Sequence, residues 1–158
     1  MYDQMIMIEL SNLVAFGAVF VAGLSALYAR WAGRATQRGN EIALHNERLN
    51  IYKALLHHRA VLITRGPKYP EEQLWSFYEA VQLSEFYFGI NEYEKMKRLF
   101  DDSTEILNLV SLWEITKETE NEKYQTLVKK TKALHRETRD RCENVADLLK
   151  KKLKLCNA

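Results

Sequence analysis

The chain reads as all-α: an N-terminal transmembrane helix continuing into an antiparallel bundle of about four long helices. Three observations carry this expectation. Residues Leu13 to Ala29 are seventeen consecutive uncharged residues. Both prolines of the protein fall in one short segment, Arg65-Gly66-Pro67-Lys68-Tyr69-Pro70. Everywhere else past the apolar run, hydrophobic residues recur at spacings of three and four, the period of a helix with one buried face.

The apolar run comes first. At about 1.5 Å per residue it covers roughly 25 Å, and Leu10 on one side with Tyr28 and Trp31 on the other extend it to bilayer thickness. Leu13, Ala18, Ala22, Leu27 and Trp31 mark its course. Met1 to Glu9 holds Asp3 and Glu9 but no Lys or Arg, unlike a secretory signal, so the anchor is expected to be retained. Arg30, Arg34 and Arg38 follow the run and nothing basic precedes it. The basic bias then places the N-terminus outside and the rest in the cytoplasm. This divides the chain into an anchor, residues 1–32, and a cytoplasmic helical domain, residues 33–158.

Beyond the anchor, Ile42, Leu49, Leu56 and Ile63 recur every seven residues, with Arg48, Leu55 and Leu62 one position before them and Tyr52 three after Leu49, and predict one stripe on a long first helix with Gly33 and Gly39 as its weak points. The proline segment ends that helix, and Pro70 with Glu71 and Glu72 suits the first turn of a second. The second helix is expected to run to Phe88. Gly89 should cap it, and Asn91 should cap the start of the third. Met96, Leu99, Phe100, Leu107, Val110 and Trp113 predict the buried face of helix three, and the polar stretch Thr116 to Asn121 offers the next break. In helix four Tyr124, Val128, Thr131, His135, Thr138, Cys142, Val145 and Leu149 form one seam. Up-and-down order returns Lys150, Lys151, Lys152 and Lys154 toward the membrane, where they are expected to meet anionic lipid.

Charge is sorted into blocks. Arg30 to Lys68 carries eight basic and two acidic residues, Glu71 to Glu122 thirteen acidic and four basic, and Lys123 to Ala158 eleven basic and four acidic. The acidic middle is expected to pair with its basic flanks inside one domain. The basic blocks lack aromatic interleaving or a groove-reading motif, so no nucleic-acid partner is expected.

The order of features is an N-terminal span, then Asn46-Glu47-Arg48-Leu49-Asn50-Ile51-Tyr52, then Glu85-Phe86-Tyr87-Phe88-Gly89 before a charged helix. It resembles uncharacterised small bacterial single-pass membrane proteins with a cytoplasmic helical domain. The resemblance implies a bacterial inner-membrane setting and supplies no active site.

Candidate chemistry is sparse. His57 and His58 are adjacent on a helix, about 100° apart, and do not converge on one ion as an i, i+4 pair would. His45 and His135 stand alone and read as half-buried structural histidines. Cys142 reads as a small core residue, and neither it nor Cys156 is expected to form a disulfide. No phosphate-binding glycine loop, nucleophile elbow or zinc-protease motif is present. No catalytic residue, metal or cofactor is therefore expected. The one feature that could bind something is the ring cluster of helix two: Trp75, Phe77, Tyr78, Phe86, Tyr87 and Phe88 are more than one helix face can bury.

Two classes of function follow. The first is a membrane-anchored interaction or scaffold module with an unidentified protein partner. The alternative is a membrane-active effector or sensor that oligomerises through its span, for which Ala15, Ala18, Ala22, Ser25, Ala29 and Ala32 form a small-residue stripe. A single span without a strongly polar centre makes a poor water pore, which favours the first.

Overall fold

A computed structural model describes residues 2–117 and 121–155, with side chains for residue 17, residues 19–117 and residues 121–154. All the described structure is helical: α1 is Tyr2–Arg65, α2 Glu71–Phe88, α3 Ile90–Thr116 and α4 Asn121–Leu155. The chain divides into two units, Met1–Ala43 and Leu44–Ala158.

The first unit is helix alone. Gly33 and Gly39 lie inside α1, so neither ends it. Its apolar side chains have no apolar cover: Val19 is 71% and Trp31 69% exposed, with Phe20, Val21, Leu24, Leu27 and Tyr28 also exposed. Among the described residues no helix is long and apolar enough to cross a membrane. The transmembrane helix expected from the sequence is thus not met by the described residues. Within Leu13–Ala29 only residues 17 and 19–29 have described side chains, fewer than the roughly 20 a span requires; Leu13 and Ala18 lie outside them.

The second unit is an up-and-down bundle, and its contacts give the direction of each helix. Arg48 Nε donates to the Tyr87 carbonyl at 2.8 Å, while ten residues on His58 stacks on Phe77, so α1 and α2 are antiparallel. Glu92 meets Lys152, Asp102 meets Arg141 and Glu105 meets Lys130, so α3 and α4 are antiparallel. Leu55 lies against Cys142 and Leu62 against His135, which closes the ring between α1 and α4. Two apolar clusters fill the interior. One joins Ile51, Leu55, Phe77, Val81, Met96, Leu99, Cys142, Val145 and Leu149. The other joins Val61, Leu62, Tyr69, Leu74, Ile106, Val110 and Trp113.

Several sequence expectations are corrected at their edges. The inward face of α1 is Ile51, Leu55, His58 and Leu62, whereas Ile42 and Ile63 are exposed and Leu49 and Leu56 half-buried. Of the expected stripe, Leu55 and Leu62 do face inward, and the buried face is centred on them, about 100° from the heptad positions Ile42, Leu49, Leu56 and Ile63. Pro70 precedes α2 with φ −63° and ψ 139°, and Asn91 lies inside α3 and does not cap it. The break expected between Thr116 and Asn121 falls there, and α3 and α4 are separate helices.

A single residue joins α2 to α3. Gly89 has φ 96° and ψ 172°, its N–H donates to the Glu85 carbonyl, and its carbonyl accepts from Tyr93 N–H. That backbone region is essentially confined to glycine, and strain there costs about 1–3 kcal/mol. Space is not the obstacle, since a Cβ would have only Glu92 Oε2 at 4.0 Å. Gly89→Ala should therefore lower the unfolding free energy by about 1–3 kcal/mol in a urea titration, with the helical content of the folded state unchanged.

Candidate functional site

Among the described residues the largest fully buried polar side chain is His58. It is 1% exposed, at the junction of the two apolar clusters, and stacks on Phe77 with centroids 4.3 Å apart and planes 2° apart. Tyr69 approaches it edge-on. Its Nε2 lies 3.0 Å from Ser103 Oγ, and Tyr69 Oη donates to the Ser103 carbonyl at 2.7 Å. Burial, with the neighbouring charge of His57, lowers the His58 pKa from 6.5 to about 4, so the imidazole is neutral at physiological pH. Burial also pushes the Tyr69 phenol up to about 12, against the opposing effect of its Ser103 bond. Sealed and neutral, this constellation ties α1 to α3. Because a histidine is not counted as apolar, this position of the α1 stripe escapes a hydropathy pattern.

The ring cluster of α2 divides in two. Phe77 and Phe88 are core and Tyr87 is half-buried, while Phe86 is 82% exposed. Trp75 and Tyr78 are exposed and meet the half-buried Phe100 of α3; centroids lie 5.8 Å apart for Trp75–Tyr78, 5.7 Å for Trp75–Phe100 and 5.0 Å for Tyr78–Phe100. Trp75 Nε1–H donates to Glu71 Oε1 at 2.9 Å. α2 holds four carboxylates, Glu71, Glu72, Glu79 and Glu85, and no Lys or Arg. Among the described residues no ion pair reaches any of the four.

The charge blocks therefore pair unevenly. α3 gives Asp102 to Arg141, Glu105 to Lys130, Glu114 to Lys68 and Glu92 to Lys152, and Arg59 of α1 meets Glu143 of α4. Arg30, Arg34 and Arg38 are exposed, as are Lys150, Lys151 and Lys154. Lys152 differs: its ammonium is 2.7 Å from the buried Glu92 carboxylate and donates to the Phe88 carbonyl at 3.4 Å. It closes the α2–α3 corner and is less available to lipid than its neighbours.

Ala22, Leu27 and Trp31 are exposed on α1. His135 bonds the Leu62 carbonyl at 2.9 Å, and Cys142 is core, its thiol pushed up to about 12 chiefly by burial. Cys156 lies outside the described residues. Among the described residues no three His, Cys, Asp or Glu side chains gather as a metal ion would require. No family model, curated protein or solved structure matches the chain.

Two outcomes follow from this geometry. Because the folded pKa of His58 lies below its unfolded value, the unfolded state binds more protons between pH 4 and 6.5. Stability is full above pH 6.5 and falls by about 3 kcal/mol as pH drops toward 4. Denaturant titrations across that range should show the fall, and His58→Leu should flatten it. Separately, Lys152→Gln leaves the Glu92 carboxylate buried without its cation and should cost about 1–3 kcal/mol. In the same melts Lys150→Gln, Lys151→Gln and Lys154→Gln should leave stability unchanged.

Proposed function

We propose that the chain is a membrane-anchored helical interaction module, non-catalytic, with residues 1–32 as its anchor and its bundle as the surface that binds protein. The observation that carries this reading is the run of exposed apolar side chains from Val19 to Trp31, which the fold leaves without apolar cover. An uncharged stretch of this kind is stable in hydrocarbon and costly in water, and each aliphatic or aromatic side chain contributes about 1.5–3 kcal/mol on transfer. The run continues toward Leu13 in sequence and ends at Arg30, Arg34 and Arg38, the arrangement that orients a single span with its basic end in the cytoplasm.

Ala22, Ser25 and Ala29, exposed on the same stretch, support the second reading, association of spans through small residues. The two readings share the anchor and differ in what it does.

The test of the anchor is extraction and topology in bacterial membranes. The full chain should stay in the pellet after alkaline carbonate washing, and a chain lacking residues 1–32 should move to the supernatant. A C-terminal tag should resist protease added to intact spheroplasts and be cut after lysis. Release of the full chain by carbonate, or digestion of the tag from outside, would overturn the reading.

A further inference from the structure

We propose that the α2–α3 face docks an arginine-bearing basic segment of a partner protein, with Trp75, Tyr78 and Phe100 as the ring surface and the α2 carboxylates as the counter-charge. This rests on the interaction-module reading and names the partner's chemistry. Three exposed or half-exposed rings in mutual contact are an unusual surface for a helix that already buries Phe77 and Phe88. The Trp75 indole N–H is satisfied by Glu71 at its edge, so the ring face needs no further polar partner. Among the described residues no ion pair reaches Glu72 or Glu85, and α3 adds Asp101 and Lys97 near Phe100, whereas Glu79 lies toward α1, lining a groove with Glu47, Asn50 and Ala54. Charge on this face is thus net negative around an aromatic centre.

Those two properties together select the occupant. An apolar partner would desolvate unpaired carboxylates, and an anionic lipid surface or a nucleic acid would be repelled. A cation suits both, because it is attracted to a ring face and to a carboxylate at once. The chain already makes this contact internally: Lys68 Nζ lies 5.5 Å from the Trp113 ring centroid and 2.7 Å from Glu114 Oε1. Arginine fits the open cluster better than lysine, since its planar guanidinium stacks on a ring while its N–H fork reaches a carboxylate.

The experiment is calorimetric titration of the full chain in detergent with a short helical peptide bearing arginines one turn apart, and with its lysine counterpart. The arginine peptide should bind roughly tenfold tighter than the lysine peptide. Trp75→Ala with Tyr78→Ala should erase that ratio, Trp75→Phe should keep it, and Glu72→Gln with Glu85→Gln should weaken both peptides. Backbone amides of α2 should gain hydrogen-exchange protection. Equal binding of the two peptides, an unchanged ratio in the double ring variant, or protection elsewhere would overturn the inference. Carbonate extraction of the same samples scores the anchor separately, so failure of docking with a retained anchor overturns this inference alone.

Discussion

The bundle depends on the neutral imidazole of His58. Burying a polar ring is unfavourable unless its nitrogens are bonded and its faces packed; here α2 and α3 supply the packing and a partner for Nε2, while Nδ1 is buried with no hydrogen-bond partner among the described residues. Phe77 covers one face, Ser103 meets Nε2, and Tyr69 packs at the edge while bonding the same Ser103 residue through its carbonyl. The arrangement sets two variables at once. It fixes the rotation of α1, because only with His58 inward do Ile51, Leu55 and Leu62 also face the core. It also fixes the axial position of α1 against α3, because Ser103 is reached from two directions. A slip of one residue in α1 would turn His57 or Arg59 inward in place of His58 and lose both.

That dependence explains what could be read from the residues alone. The seam of α4 was readable as far as Leu149, since Thr131, Thr138 and His135 interrupt its apolar pattern without breaking its period, but Ala146 and Leu153, which also pack into the core, were not placed on it. Thr131 and Thr138 return their hydroxyls to the carbonyls four residues back and so add no polar demand to the core. The stripe of α1 was readable only in part: Leu55 and Leu62 were on it, but the buried face also passes through a histidine, which a hydropathy pattern scores as surface. Glu92 escaped for a related reason: a carboxylate is buried there only because Lys152, distant in sequence, arrives beside it. The turn between α2 and α3 was placed correctly at Gly89, but Asn91 was not needed as a cap, because the glycine conformation starts α3 at the next residue.

The charge blocks show the same mixture of success and limit. An acidic centre between basic flanks was expected to pair internally, and α3 does so with α4 and with Lys68. The exposed pairs among these, Glu105–Lys130 and Glu114–Lys68, contribute little each, about 0–1 kcal/mol, so their value lies more in selecting neighbours than in stability. α2 takes no part in that pairing. Its carboxylates and its outward rings are therefore surplus to the bundle, and that surplus could not be seen until the helices were in place.

Two surfaces of the chain thus remain without cover, and their chemistry separates what can cover them. The stretch from Val19 to Ala29 carries no charge, so hydrocarbon satisfies it and nothing polar is lost. The α2 face cannot be satisfied that way, because each carboxylate taken into an apolar environment without a cation is destabilising. A cationic, stacking partner removes that penalty and covers the rings in one step. The proposed anchor and the proposed docking face therefore call for partners of different chemistry.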